Sequence, residues 1–138
     1  MPDEPACRFS LAIPPSTNNL FSSIQPRRGG VARRRAKAEY YRDWLKDAGW
    51  EIKLQAVIPT EPIAGTLRVL IEAPLNRRRD LDNALKPILD ILGCGKNGLR
   101  IIVDDNMIDD LRIIRAGTGD KCVVSIWPLA PEAKTDVA

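Results

Sequence analysis

Histidine is absent from all 138 residues of this chain, and its absence excludes several kinds of active site. Neither a serine nor a cysteine nucleophile can be paired with an imidazole base, and zinc motifs built on histidine are excluded as well. The cysteines Cys7, Cys94 and Cys122 are widely spaced and form no CxxC pair, so we expect them to stay reduced. Any hydrolysis by this chain must therefore depend on carboxylates, lysine and a metal ion.

Long apolar segments are also missing. No run approaches the ~20 residues that cross a bilayer, and the N-terminus MPDEPACRFS lacks the basic-then-apolar order of a signal peptide. We therefore expect a cytoplasmic protein that makes no membrane contact. The composition, 44% hydrophobic and 28% charged, is typical of a globular protein. The length of 138 residues predicts one domain over residues 1–138, with a loose tail from about residue 128.

The most distinctive charged segment covers residues 77–90 and reads RRRDLDNALKPILD. In a helix that begins near Asp80, apolar residues recur at i, i+4, i+7 and i+11 and form one stripe: Leu81, Leu85, Ile88 and Leu92. Another face of the same helix carries three charged residues: Asp82, Lys86 and Asp90. We predict that Asp80 caps this helix through its carboxylate. We also predict a kink at Pro87, because proline removes a donor inside a helix.

Two interpretations of the acidic residues remain open on these residues alone. One is an exposed helix stabilised by charge pairs at i, i+4 spacing. The other is a divalent-metal site, because Asp80 and Asp82 offer hard oxygen ligands two residues apart. A second acidic pair, Asp104 and Asp105, follows the apolar run 101–103 and favours the metal site.

Basic residues are concentrated in two places, although the net charge is only +3. One is the run RRGGVARRRAK at residues 27–37, which includes Arg33, Arg34 and Arg35, and the other is the triplet Arg77, Arg78 and Arg79. A basic run is usually just a solvated surface. Beside an acidic metal cluster, however, basic patches neutralise DNA phosphates. The combination favours an enzyme that acts on nucleic acid.

Two separated motifs carry a resemblance to a known family. The run RRRDLDNALK, followed by Asp90 and then DDNMI, resembles the RusA family of crossover-junction endodeoxyribonucleases, Holliday junction resolvases common in phage and prophage. PPSTNNLF at residues 14–21 resembles the family's proline, serine and asparagine motif, with Phe21 where a tyrosine is common. The resemblance implies an α/β (α+β) fold with a small mixed β-sheet.

The pattern along the chain predicts two main helices and several strands. One helix is expected over residues 32–48, either ending at Gly49 or resuming beyond it, with Tyr40, Tyr41 and Trp44 on its core side. The second helix is the charged segment described above. Strands are expected over residues 8–13, 66–73, 107–116 and 121–127. The turn sequence GTGD predicts that the last two strands form a hairpin.

The resemblance and the residues together indicate metal-assisted phosphodiester hydrolysis. We expect Mg²⁺, with Mn²⁺ as an alternative, held by Asp80, Asp82, Asp105 and Asp104. Lys86 is expected to act on the phosphate or the attacking water, supported by Asp90 and Asn83. The expected DNA contacts are Arg77, Arg78, Arg79, Arg33, Arg34, Arg35, Ser16 and Asn18.

The resemblance further implies a homodimer that cuts two symmetric strands of a four-way DNA junction, which suits the symmetry of that substrate. Two alternatives remain open. One is a nuclease acting more broadly on branched DNA such as flaps and forks, and the other is a junction-binding protein without catalysis.

Overall fold

The computed structural model describes residues 4–15, 30–96 and 98–129, without the side chains of residues 30–38 and 83. Within these residues the chain forms four strands and two α-helices: β1 (Cys7–Ala12), α1 (Gly30–Leu54), β2 (Leu67–Ala73), α2 (Leu85–Leu92), β3 (Ile108–Arg115) and β4 (Lys121–Pro128). Two 3-10 turns, Leu81–Ala84 and Asp105–Met107, precede α2 and β3. The predicted α+β fold with a small mixed sheet is confirmed. The tail was expected from about residue 128; β4 ends at Pro128, and the residues beyond 129 are not described.

The four strands form one sheet in the order β1-β4-β2-β3. Strand β4 runs antiparallel to both of its neighbours, whereas β2 and β3 are parallel. The predicted hairpin is therefore wrong, because β2 lies between β3 and β4. Gly117 and Gly119 adopt positive φ in the connection, as the turn sequence suggested, but the chain there crosses over β2. The inner position of β4 agrees with the burial of three alternate residues in this strand, Cys122, Val124 and Ile126. Strand β3, by contrast, forms an edge of the sheet.

The core lies between the sheet and the two helices. Alternate residues of β1 and β2 are buried, as period-2 packing requires: Cys7, Phe9, Leu11, Leu67, Val69, Ile71 and Ala73. The helices contribute residues at helical spacing, and the most enclosed are Ile52, Ile88, Ile91 and Leu92. Burying one such aliphatic side chain stabilises the fold by about 1.5–3 kcal/mol.

Helix α1 continues through Gly49 to Leu54, so the second of the two expected continuations is correct. Its last turns cover the free edge of β1. Glu51 Oε1 accepts the Ala12 N–H at 2.8 Å, and Gln55 Oε1 accepts the Ser10 N–H at 3.0 Å. These bonds satisfy backbone groups that an uncovered edge would leave for another strand. The core role predicted for Tyr40 is wrong, because its side chain is 61% exposed.

The segment after β2 differs from the predicted single helix. Its first turn is 3-10, and the Asp80 side chain makes no capping hydrogen bond, so the predicted cap is wrong. Helix α2 begins only at Leu85, which places Pro87 in its first turn. Amide groups of a first turn have no partner inside the helix, so Pro87 does not remove a bond. The expected apolar and charged faces are present, because Ile88 and Leu92 are fully buried whereas Lys86 is exposed.

No helix in residues 30–96 or 98–129 is long and apolar enough to cross a membrane.

Candidate active site

The predicted acidic residues lie in two groups. Asp80 and Asp82 follow β2, whereas Asp104 and Asp105 precede β3. Because β2 and β3 are parallel, the end of one strand and the start of the other lie at opposite ends of the sheet. Helix α2 lies between the two acidic groups in the chain, and its eight residues are about 12 Å long.

Among the described residues, no three acidic or cysteine side chains are close enough together to hold one metal ion. The structure therefore does not bring Asp80, Asp82 and Asp105 into one cluster. Their role as shared ligands stays a prediction.

The second acidic group is the more closely assembled. Asp104 and Asp105 carry adjacent carboxyl groups, which can share a hydrogen bond when one of them is protonated, and Asp104 Oδ1 accepts the Asn106 N–H at 3.3 Å. The bond from Asp105 lowers the pKa of Asp104, while the same bond raises the pKa of Asp105. Burial and the negative charges of Asp104 and Asp90 raise the pKa of Asp105 further. The two carboxyl groups therefore titrate as a pair, with Asp104 the more acidic of the two.

Asp90 joins this group from the end of α2. It lines a cavity of about 280 Å³ together with Asp104, Asp105 and Cys94. Lys86 Nζ lies 3.5 Å from Asp90 Oδ1, which confirms the predicted i, i+4 pair. The positive charge of Lys86 opposes the rise in the pKa of Asp105, whereas the negative charge of Asp90 adds to it. Lys86 and Asp90 therefore both act on the Asp105 carboxylate.

Tyr41 holds Asp90 from the other side, and sequence reasoning missed this contact. The Tyr41 hydroxyl donates to Asp90 Oδ2 at 2.8 Å, and its ring stacks on Trp44 with centroids 6.4 Å apart. Burial, and then the bond to Asp90, raise the pKa of Tyr41. The helical pattern indicated only that Tyr41 faces inward. No local signal connects two residues that are 49 positions apart.

The donor chemistry of these residues fits a divalent cation. Hard ions such as Mg²⁺ prefer carboxylate oxygens, and the charge around Asp105 would be relieved by such an ion. Asp104 and Asp105 would supply ligands at one end of α2, and Asp80 and Asp82 at the other.

The three arginines before Asp80 do not all face the same way. Arg77 and Arg78 are exposed. The guanidinium of Arg79 turns inward and donates to the Pro14 carbonyl oxygen, and burial lowers its pKa. Arg115 in turn donates to the Arg79 carbonyl oxygen at 2.6 Å. Arg79 thus connects the ends of β1 and β3 beside Asp80, while the DNA contact of all three arginines stays a prediction.

Other predicted contacts fall outside what the structure describes. Ser16 and Asn18 are among the residues that the structure does not describe. The backbone of α1 includes Arg33, Arg34 and Arg35, but their side chains are not described, and neither is that of Asn83.

Comparison with known proteins identifies the family. The model of the family described as Endodeoxyribonuclease RusA matches residues 13–126. The chain belongs to the RusA endodeoxyribonuclease family. It is also 32% identical over 109 residues to the crossover junction endodeoxyribonuclease rusA of Enterobacteria phage HK97, covering 78% of this chain and 81% of that protein. The RusA match begins just before the N-terminal motif and ends in β4, so it includes both acidic groups.

Proposed function

We propose that this RusA-family endodeoxyribonuclease resolves four-way DNA junctions by hydrolysing phosphodiester bonds at the carboxylates that flank α2. The observation that carries the proposal is the group formed by Asp90, Asp104 and Asp105 with Lys86. The three carboxylates line one cavity, and the exposed Lys86 ammonium lies 3.5 Å from Asp90 Oδ1 at its side. Such a group is suited to a cation and an anionic phosphate together.

In the proposed mechanism Asp105 and Asp104 at one end of α2, and Asp80 and Asp82 at the other, would hold Mg²⁺ or Mn²⁺. When bound, this ion would polarise the scissile phosphate and lower the pKa of an attacking water.

Lys86 supplies positive charge to the phosphate as negative charge develops on its oxygens. Its ammonium is suited to this task because the side chain is 76% exposed and is bound only at one carboxylate oxygen of Asp90 among the described residues. Asp90 in turn is fixed by Tyr41, so the lysine is held at a defined place on α2. Asn83 supports a ligand or a phosphate from the 3-10 turn before α2.

The proposed assembly is a homodimer. A four-way junction offers two equivalent strands, and a two-fold symmetric enzyme presents two equivalent sites to them. Arg77, Arg78 and Arg79, the arginines of the run 33–35, and the segment with Ser16 and Asn18 are proposed to contact the DNA backbone.

Cleavage of defined substrates tests the proposal. The purified protein is incubated with end-labelled four-way junction, flap and linear duplex DNA, in Mg²⁺ and in EDTA. We expect paired symmetric nicks in the junction that require the metal ion. Equal cutting of flaps would favour the broader branched-DNA nuclease, and tight binding without cutting in Mg²⁺ or Mn²⁺ would favour a binding protein.

The Asp82→Asn variant tests the site itself. It removes one proposed ligand and some repulsion toward phosphate, so cleavage should be lost while junction binding is kept or improved. Asp109→Asn is the matched control, because Asp109 is an exposed residue of β3 outside the proposed site. Normal cleavage by Asp82→Asn would show that the proposed metal site is wrong.

A further inference from the structure

A second cavity, of about 420 Å³, lies between α1 and the loop that follows α2. Four basic side chains line it, three from the helix and one from the loop: Arg42, Lys46, Lys53 and Lys96. All four are exposed, and Asp43 is the one acidic residue among the lining residues. The exposed indole of Trp50 forms part of the wall, and Lys53 Nζ lies 5.0 Å from its ring centroid.

The basic residues of α1 share one line along the helix. At 100° per residue, Lys46 lies about 40° and Lys53 about 20° from the direction of Arg42. The same line passes through the helix position of Arg35, seven residues before Arg42, in the basic run of the sequence. From Arg35 to Lys53 the row is about 27 Å long. The row therefore joins the N-terminal basic run to the cavity.

These cations have no acidic partners in the part of the chain that the structure describes. The ion pairs formed there are Arg68–Asp110, Lys86–Asp90 and Lys121–Glu51. An ordinary solvated face is convex, whereas here basic residues from two elements line one concavity. A bound polyanion would relieve their mutual repulsion.

The position of the loop indicates which polyanion this is. Gly93, Cys94 and Gly95 line the acidic cavity, and Lys96 and Gly98 of the same loop line the basic one. The basic cavity is therefore a neighbour of the cavity that holds Asp104 and Asp105, on the other part of one short loop. Phosphates recur about every 3.4 Å along a DNA strand, so a row of this length follows several of them.

We propose that this basic cavity, formed by Arg42, Lys46, Lys53 and Lys96, binds the phosphate backbone of the DNA arm next to the strand that is cut. The inference rests on the proposed function, since the DNA it binds is the substrate of the adjacent acidic site. It adds a contact surface that is separate from the arginines before Asp80.

The test measures binding without cleavage. The affinity of the protein for a fluorescein-labelled four-way junction is measured by anisotropy in EDTA at several salt concentrations, for wild type and for the double variant Lys46→Gln/Lys96→Gln. Each lost phosphate contact lowers the slope of log K against log salt by about 0.9, so the double variant should lose about 1.8. Both lysines are exposed, and an unchanged far-UV spectrum checks that the variant is folded.

The matched control is Arg8→Gln/Arg112→Gln, which removes the same net charge. Both arginines are exposed, and both alternate along their strands with residues that pack toward the helices, so they lie on the opposite face of the sheet. The control should keep nearly the wild-type slope.

Two results would overturn the inference while leaving the proposed function in place. One is a wild-type slope for Lys46→Gln/Lys96→Gln in a protein that cuts junctions. The other is an equal loss of slope in the control, which would reflect net charge only. Failure of the wild type to bind or cut any DNA would overturn both proposals.

Discussion

Replacing Tyr41 with phenylalanine removes one hydroxyl group and leaves the ring that stacks on Trp44. The hydroxyl donates to Asp90 Oδ2 at 2.8 Å, so the change leaves that carboxylate with Lys86 as its remaining described side-chain partner. A hydrogen bond to a charged group contributes about 1.5–3 kcal/mol. The Asp90 side chain is 39% exposed, and water replaces part of the lost bond. We expect the free energy of unfolding at pH 7 to fall by about 1 kcal/mol.

The pH dependence gives this prediction a second, independent result. The pKa of Tyr41 is raised above its ordinary value of 10.0 in the folded protein. The unfolded chain therefore loses the phenol proton first, and the contribution of Tyr41 to stability declines as the pH rises above about 10. The difference in unfolding free energy between wild type and Tyr41→Phe should be full at pH 7 and should shrink above pH 10.

Urea unfolding at pH 7 and at a pH above 10 measures this difference in the free energy of unfolding. Tyr40→Phe is the control, because it makes the same chemical change at a neighbouring side chain that is 61% exposed. In Tyr41→Phe, Asp90 should also hold Lys86 less firmly. If this costs about 1 kcal/mol of transition-state stabilisation, single-turnover cleavage should slow about fivefold while junction affinity stays unchanged. Equal stability of the two variants, or a difference that does not change with pH, would refute the reasoning.

Three further predictions follow from the structure. Arg79→Ala should lower the free energy of unfolding by about 1–2 kcal/mol, because it removes the donor to the Pro14 carbonyl oxygen. Arg78→Ala changes an exposed side chain, so it should leave stability unchanged and flatten the salt dependence of DNA binding. Gly98→Ala should destabilise the loop after α2, since an added Cβ would lie 1.9 Å from the Gly93 carbonyl oxygen, whereas Gly95→Ala meets no atom within 4 Å; thermal unfolding compares the two variants. Mg²⁺ at one hundred times its dissociation constant should raise the free energy of unfolding by about 2.7 kcal/mol, and this gain should disappear in EDTA.

Local patterns were sufficient for most of the secondary structure. The alternating apolar residues of β1, β2 and β4 and the helical spacing in α1 and α2 predicted these elements to within a few residues, because burial on one face imposes a period on the sequence. The pairing of Lys86 with Asp90 was also predictable, since i, i+4 neighbours are adjacent on any helix. The motif around Asp80 and Asp82, together with DDNMI and the N-terminal motif PPSTNNLF, was sufficient to predict the family.

Contacts between distant segments were decided only by the tertiary structure. The turn after β3 has the residues of a hairpin, yet β4 lies between β1 and β2, where its alternate apolar residues are fully buried. Arg79 belongs to a triplet of identical residues, and only the ends of β1 and β3 distinguish it from Arg78. Tyr41 reaches Asp90 because α1 packs against α2, and the basic cavity exists because a loop that follows α2 returns beside α1. Each of these contacts depends on which surfaces pack against each other in the folded chain. The periodicity of the sequence shows which face of an element is buried, but it does not show which other element covers that face.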